Sequence, residues 1–259
     1  MNFVRTGNGK PLLLVHGLGS SIGNWRPVVP GLSAHREVIA VDLPGFGESP
    51  PLRGEVGIGT LTDAVERFIA ERNLGDVDVV GSSMGARMVL EMVRRGHAGT
   101  AVALDPGGFW TDLQKRAFAV SIGTSIRLVR GIQPALPTLT SSAAGRTALL
   151  LQFSAAPWSL DADLVLHELR GFKTAPSIWP AFDALAHGPS QEGITRGAQR
   201  GKVVIGWGRQ DRVTLPGQAT PALHRFPDAE LHWFDRCGHF PHWDQPEQTV
   251  DLILRSTGA

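Results

Sequence analysis

The pentapeptide Gly81-Ser82-Ser83-Met84-Gly85 follows an apolar run, Val77 to Val80, and precedes Ala86, Met88, Val89, Met92 and Val93, which recur at helical spacing. A serine set between a strand and a helix, with glycine two residues away on either side, is the pattern of a nucleophile carried on a very sharp turn. The turn forces strained backbone angles, so its neighbours must be small. In a chain with 31 glycines the pentapeptide alone also fits an ordinary glycine-rich turn. Ser83 therefore needs company: a base to take its proton, and an acid to orient that base and offset its charge.

Both appear later in the chain, each just beyond a strand. Val203 to Trp207 runs into Gly208-Arg209-Gln210-Asp211, and Glu230 to Phe234 runs into Asp235-Arg236-Cys237-Gly238-His239. Asp211 is the expected acid and His239 the expected base. Asp105 also follows a strand end and stands as the alternative acid, whereas Asp42, before the serine, is expected to bind amides of its own turn. His242 lies three residues beyond His239, but no cysteine or acidic cluster at ligand spacing accompanies the pair, and no metal or other cofactor is expected. His35, His97, His167, His187 and His224 fall in polar or helical stretches and read as solvated. The single cysteine, Cys237, excludes an intrachain disulfide and reads as a packing residue. A tetrahedral intermediate needs two backbone N–H groups; Met84 supplies one, and Leu18, in the loop His16-Gly17-Leu18-Gly19-Ser20 after an early apolar strand, the other.

These residues must be positioned by a sheet. Strands are expected at 2–5, 11–16, 37–41, 77–81, 100–104, 202–207 and 229–234, and helices at 24–33, 60–73, 85–96, 217–225 and 246–256. Such alternation predicts an α/β fold with a mostly parallel, doubly wound sheet, whose carboxyl edge gathers the loops. Between Asp105 and about Arg200 no strand signal appears; helical patterns are broken by prolines 134, 137, 157, 176, 180 and 189. The core is thus expected over 1–105 and 201–259, with 106–200 a helical cap. From Gly131 to Leu160 the only charged residue is Arg146, which suggests that one face of this cap lies against something apolar.

Composition excludes several classes. With 259 residues, 42% hydrophobic, the chain can bury a large core, and a net charge of +1 with scattered charges offers no basic stripe for nucleic acid. The run Leu12 to Val15 is too short to span a bilayer, and no signal segment is apparent, so no stable membrane insertion and a cytoplasmic protein are expected. Oligomeric state is not readable from the sequence.

Together with Asp42-Leu43-Pro44-Gly45-Phe46-Gly47, these motifs resemble the α/β-hydrolase superfamily over nearly the whole chain except the insertion. The layout is similar to small capped bacterial carboxylesterases and to the C–C bond hydrolases of aromatic degradation, whose cap follows the sixth strand of the full fold. The resemblance implies Ser83 as nucleophile, Asp211 as acid, His239 as base, Leu18 and Met84 as oxyanion-hole donors, and a missing first strand. Serine rather than aspartate at the elbow, and the absence of any tyrosine, set the chain apart from haloalkane dehalogenases and epoxide hydrolases. Hydrolysis of a small-molecule ester with a hydrophobic acyl or aromatic group is the leading expectation, with Trp110, Val213 and Phe240 as candidate substrate-binding residues. The alternatives are C–C cleavage, for which Arg87 is a candidate carboxylate ligand, cofactor-free perhydrolysis, and a binding protein without turnover.

Overall fold

The computed structural model describes residues 1–258. Its strands are β1 (Phe3–Thr6), β2 (Pro11–Val15), β3 (Glu37–Val41), β4 (Asp78–Ser82), β5 (Ala101–Leu104), β6 (Val203–Gly208) and β7 (Glu230–Phe234). Each lies within a residue or two of its expected position. They form one sheet in the order β1, β3, β2, β4, β5, β6, β7, parallel throughout except that β1 runs antiparallel to β3. The inner strands read as continuous apolar runs because both sheet faces are covered. Side chains alternate between those faces: Leu13, Val79, Ala103 and Ile205 join one core cluster, while Leu12, Val80, Val102 and Val204 join the other.

The helices are α1 (Val29–Ser33), α2 (Ile58–Glu71), α3 (Met84–Arg94), α4 (Asp112–Gly131), α5 (Leu136–Ser141), α6 (Ala143–Leu150), α7 (Ala162–Thr174), α8 (Ile178–Ala186), α9 (Ala219–Arg225), α10 (Pro241–Asp244) and α11 (Pro246–Thr257). The expected helix 24–33 is instead a 3-10 turn over Ile22–Trp25 followed by the short α1. Pro27 and Pro30 are the cause: each lacks an N–H, and each disfavours helical angles in the residue before it. Helices α4 to α8 all fall between β5 and β6, as a helical insert with its own apolar cluster around Leu136, Leu150 and Val165. Among the described residues no helix is long and apolar enough to cross a membrane.

Strand order places the site. The chain moves from β2 outward to β3, then crosses back to lay β4 on the other side of β2. At such a switch point the loops leaving the two strands diverge and open a crevice. The loops after β2 and β4 carry Leu18 and Ser83, and those after β5, β6 and β7 carry Asp105, Asp211 and His239. A buried ion pair, Arg36 to Asp78 at 2.6 Å, ties the opposite end of β4 to the segment leading into β3.

Candidate active site

Ser83 occupies the single residue between β4 and α3, at φ 55° and ψ −111°. This left-handed angle is strained for serine and persists because packing enforces it. A Cβ on Gly81 would strike the Gly85 carbonyl, and one on Gly85 the Val15 carbonyl, so both glycines are required by close approach. The turn aims the serine hydroxyl outward, where His239 Nε2 lies 2.8 Å from Ser83 Oγ. On its other side His239 Nδ1 lies 2.9 Å from Asp211 Oδ2. The carboxylate fixes the ring with its proton on Nδ1, leaving Nε2 free to accept the serine proton.

Asp211 is only 2% exposed, and burial alone would favour its neutral form. The His239 charge and hydrogen bond outweigh burial and hold the carboxyl below the usual range, helped by Thr214. Asp211 Oδ1 accepts the amides of Val213 (2.7 Å) and Thr214 (3.1 Å), and Oδ2 accepts the Thr214 hydroxyl at 2.6 Å. Thr214 was not singled out in the sequence; an Asp followed three residues later by Thr just past a strand is the local signal, since both side chains can satisfy the same turn.

Asp105 joins the same cluster: carboxyl oxygens of Asp105 and Asp211 and a ring nitrogen of His239 lie within 4.8 Å of one another. Asp105 is fully buried, its Oδ1 accepts the Gly208 amide at 2.8 Å, and no donor points at its Oδ2. Burial first, and then the neighbouring Asp211 charge, push its carboxyl well above the ordinary range. Two carboxyls this close keep one charge and one proton between them, and the proton belongs to Asp105. It donates to Asp211 rather than competing for His239.

Met84 is the first residue of α3, so its N–H has no acceptor within the helix and points from the positive end of the helix dipole. The loop after β2 packs on Ser83, where a Cβ on Gly17 would lie 3.1 Å from the Ser83 Cβ. His16 pins that loop by donating from Nδ1 to the Gly17 carbonyl at 2.8 Å and accepting the Leu43 amide on Nε2 at 2.9 Å. Burial lowers the His16 imidazole to about 4, which keeps it neutral for both bonds. Asp42 accepts the Glu48 amide of its own turn, as expected, and also the Ile22 amide and the Asn2 side chain.

A second buried network braces the same loop. On α7, Glu168 Oε2 accepts the Ser20 hydroxyl at 2.6 Å and the Asn24 amide group at 3.0 Å. The Asn24 carbonyl oxygens meet His242 Nε2 (2.5 Å) and Trp243 Nε1 (3.0 Å) of α10. Burial raises the Glu168 carboxyl to about 7, against the Ser20 and Asn24 bonds and Arg26, with Asp42 adding to the rise. Burial, and then His239, lower His242 to about 3, so it is a neutral brace. Glu168 and Asn24 carried no motif and could not be found from the sequence.

Ser83, Leu18 and Met84 border a narrow, mostly apolar cavity. Trp110, Val213 and Phe240 line it, joined by Phe118, Phe153 and Phe172 from the insert. Phe109, Trp158, Trp179 and Phe182 do not reach it. Arg87 is a clear departure from expectation. It is buried away from the cavity, donating to the Pro189 carbonyl at 2.6 Å and to Gln191 at 3.3 Å, so it does not line the space beside Ser83. His97 and His167 are bonded to the Val77 carbonyl and the Ser21 hydroxyl rather than simply solvated. The Cys237 thiol is fully buried and pushed upward by burial and by Asp105, so it is no nucleophile.

Two outcomes follow from these assignments. Asp211→Asn should lower kcat by about 10³ to 10⁴, whereas Asp105→Asn, which preserves a neutral donor beside Asp211, should stay within about tenfold; steady-state kinetics compares them. For Glu168, the raised folded value means that the native chain binds the proton more tightly, so stability falls as pH rises from about 4.5 through about 7. Glu168→Gln keeps an acceptor for Ser20 and Asn24 without that penalty. It should therefore match the wild type near pH 4 and exceed it by about 3 kcal/mol, roughly 5–10 °C in Tm, near pH 8.5 in thermal scans.

The whole chain has recognisable relatives. It is 29% identical over 272 residues to a 2-hydroxy-6-oxo-2,4-heptadienoate hydrolase of Pseudomonas putida, covering 97% of this chain and 89% of that protein. It is 26% identical to a 2-hydroxy-6-oxo-6-phenylhexa-2,4-dienoate hydrolase of Burkholderia cepacia, covering 96% and 87%. In fold it is similar to a meta-cleavage product hydrolase of Pseudomonas fluorescens (TM-score 0.76, 21% identity, 99% and 93% covered). It is equally similar to a thermophilic esterase of Thermogutta terrifontis (TM-score 0.76, 20% identity, 100% and 94% covered). Residues 12–252 match the family model described as the Alpha/beta hydrolase family, and the chain belongs to that family.

Proposed function

We propose that the chain is a serine hydrolase that cleaves small-molecule carboxylic esters with an apolar acyl or aromatic group, through an acyl-serine intermediate. The observation that carries this reading is the Ser83–His239–Asp211 chain of hydrogen bonds at 2.8 and 2.9 Å, opening on a cavity lined by no lysine, arginine, aspartate or glutamate. Residues 106–200 act as the cap that supplies most of its aromatic wall.

In this mechanism His239 Nε2 takes the Ser83 proton as Oγ attacks the ester carbonyl. The oxyanion is held by the N–H groups of Met84 and Leu18, where two such donors are together worth several kcal/mol in an enclosed site. Collapse of the intermediate breaks the bond to the alcohol, which leaves with the proton from His239. Water then loses a proton to His239, attacks the acyl carbon and releases the acid, returning the proton to Ser83. Asp211 stabilises the imidazolium in each half.

The named activities of the two curated relatives support a second reading, C–C bond hydrolysis of a ring-cleavage product, by the same nucleophile. Those names describe substrates that carry a carboxylate. The cavity here offers no cationic side chain to receive one, and Arg87 is committed elsewhere. A burying apolar wall without a partner charge disfavours an anionic substrate.

A panel of p-nitrophenyl and aryl esters, run beside a coloured dienoate ring-cleavage product, separates the two. Ester turnover should exceed dienoate turnover, and Ser83→Ala should lower it by about 10⁵ to 10⁶. Faster loss of the dienoate colour than of any ester would make the second reading correct.

A further inference from the structure

The cavity around Ser83 has a neighbour. An open groove with about 910 Å³ of empty space runs over the insert, and Phe153 and Phe172 line both spaces. Its walls are Leu128 of α4, Ala148 of α6, Leu151 just beyond it and Leu169 of α7. Arg212, whose guanidinium donates to the Leu151 carbonyl at 2.7 Å, is its one charged lining residue. Leu128 and Leu151 are 55% and 51% exposed. Single exposed leucines are ordinary, but two flanking one groove that abuts a reactive site form a surface that an apolar ligand would cover.

The partition between cavity and groove includes two side chains that bridge the packing on either side. Phe153 and Phe172 pack against the main core cluster and also against the insert's own cluster. Their backbones are held: the Phe153 carbonyl accepts the His239 amide at 2.7 Å, and the Phe172 carbonyl accepts from Arg130 at 2.8 Å. Their rings are held only by contact. Phe153 stacks on Phe240 at 6.0 Å, and the Phe172 ring covers Gly19. These two rings are thus the residues through which the cavity and the groove adjoin.

We propose that the groove is a second substrate subsite, which takes the distal part of a long aliphatic or alkyl-aryl chain that passes between Phe153 and Phe172. The acyl carbonyl sits at Ser83 and the chain's far end lies along Leu128, Leu151 and Leu169. The occupant is one continuous with the reacting group, because Phe153 and Phe172 line both spaces and, apart from Ser125, Gln152 and Arg212, the groove's lining is apolar.

This inference rests on Ser83 being the nucleophile of the proposed function, and its test uses a probe that needs a nucleophile but no ester turnover. Ethyl and decyl p-nitrophenyl phosphonates react with an activated serine: the Oγ–P bond forms, nitrophenolate leaves and His239 receives the proton. In the purified wild type the decyl probe should label faster than the ethyl probe. Ala148→Trp on α6, and independently Leu128→Trp on α4, should lower the decyl-to-ethyl rate ratio by about tenfold, as when roughly two methylenes lose their burial. A ratio unchanged in both folded variants, or no chain-length preference in the wild type, overturns the groove. Normal labelling without turnover of any ester overturns the ester reading instead, while the ratio still decides the groove.

Discussion

A carboxylate that stays ionised at 2% exposure needs several donors around it, and Asp211 has five: two amides, one hydroxyl, the His239 ring and the protonated Asp105. Most of the site's architecture serves that one buried charge. The turn after β6 supplies the amides and Thr214. The sheet brings β5 alongside β6, so that Asp105 adds a proton instead of a second charge. With the charge in place, His239 has one orientation and one tautomer, and Ser83 has an acceptor for its proton. Removing one donor would leave the charge partly uncompensated, a cost that falls on both stability and activity.

The second constraint is geometric. Ser83 is held at a backbone angle it would not choose, between a fully buried strand and the buried start of α3. The strain persists because Gly81 and Gly85 let neighbouring backbones approach closely. The insert contributes two kinds of contact, apolar rings in the lining of the cavity at Ser83 and the buried Glu168 bracing the loop after β2. Apolar packing sets the shape of the cavity. The polar brace fixes the loop that carries Leu18.

Much of this was legible in the sequence because it depends on local rules. Strands buried on both faces leave unbroken apolar runs such as Leu12 to Val15, and the elbow leaves two glycines at fixed distance from a serine. Parallel topology then makes the order of Ser83, Asp211 and His239 interpretable, since all three must leave the same sheet edge. What escaped depends on tertiary proximity. The proton on Asp105 is held by burial and by Asp211 beside it, 106 positions away in the chain. Glu168 and Asn24 meet across 144 positions, with no periodicity or motif to announce them. Arg87 lies four residues after the serine, about one helical turn on, yet its long side chain runs to the Pro189 carbonyl and does not line the cavity, a partner 102 positions away that the sequence does not announce.

The central claim is that Ser83 forms a covalent acyl intermediate, and mass spectrometry of a rapidly quenched reaction with a p-nitrophenyl ester tests it most directly. The account predicts nitrophenol release in a burst of about one equivalent per chain, with the acyl mass found on the peptide containing Ser83. Steady turnover with no burst, and an acyl mass absent from that peptide or present on another residue, would contradict it.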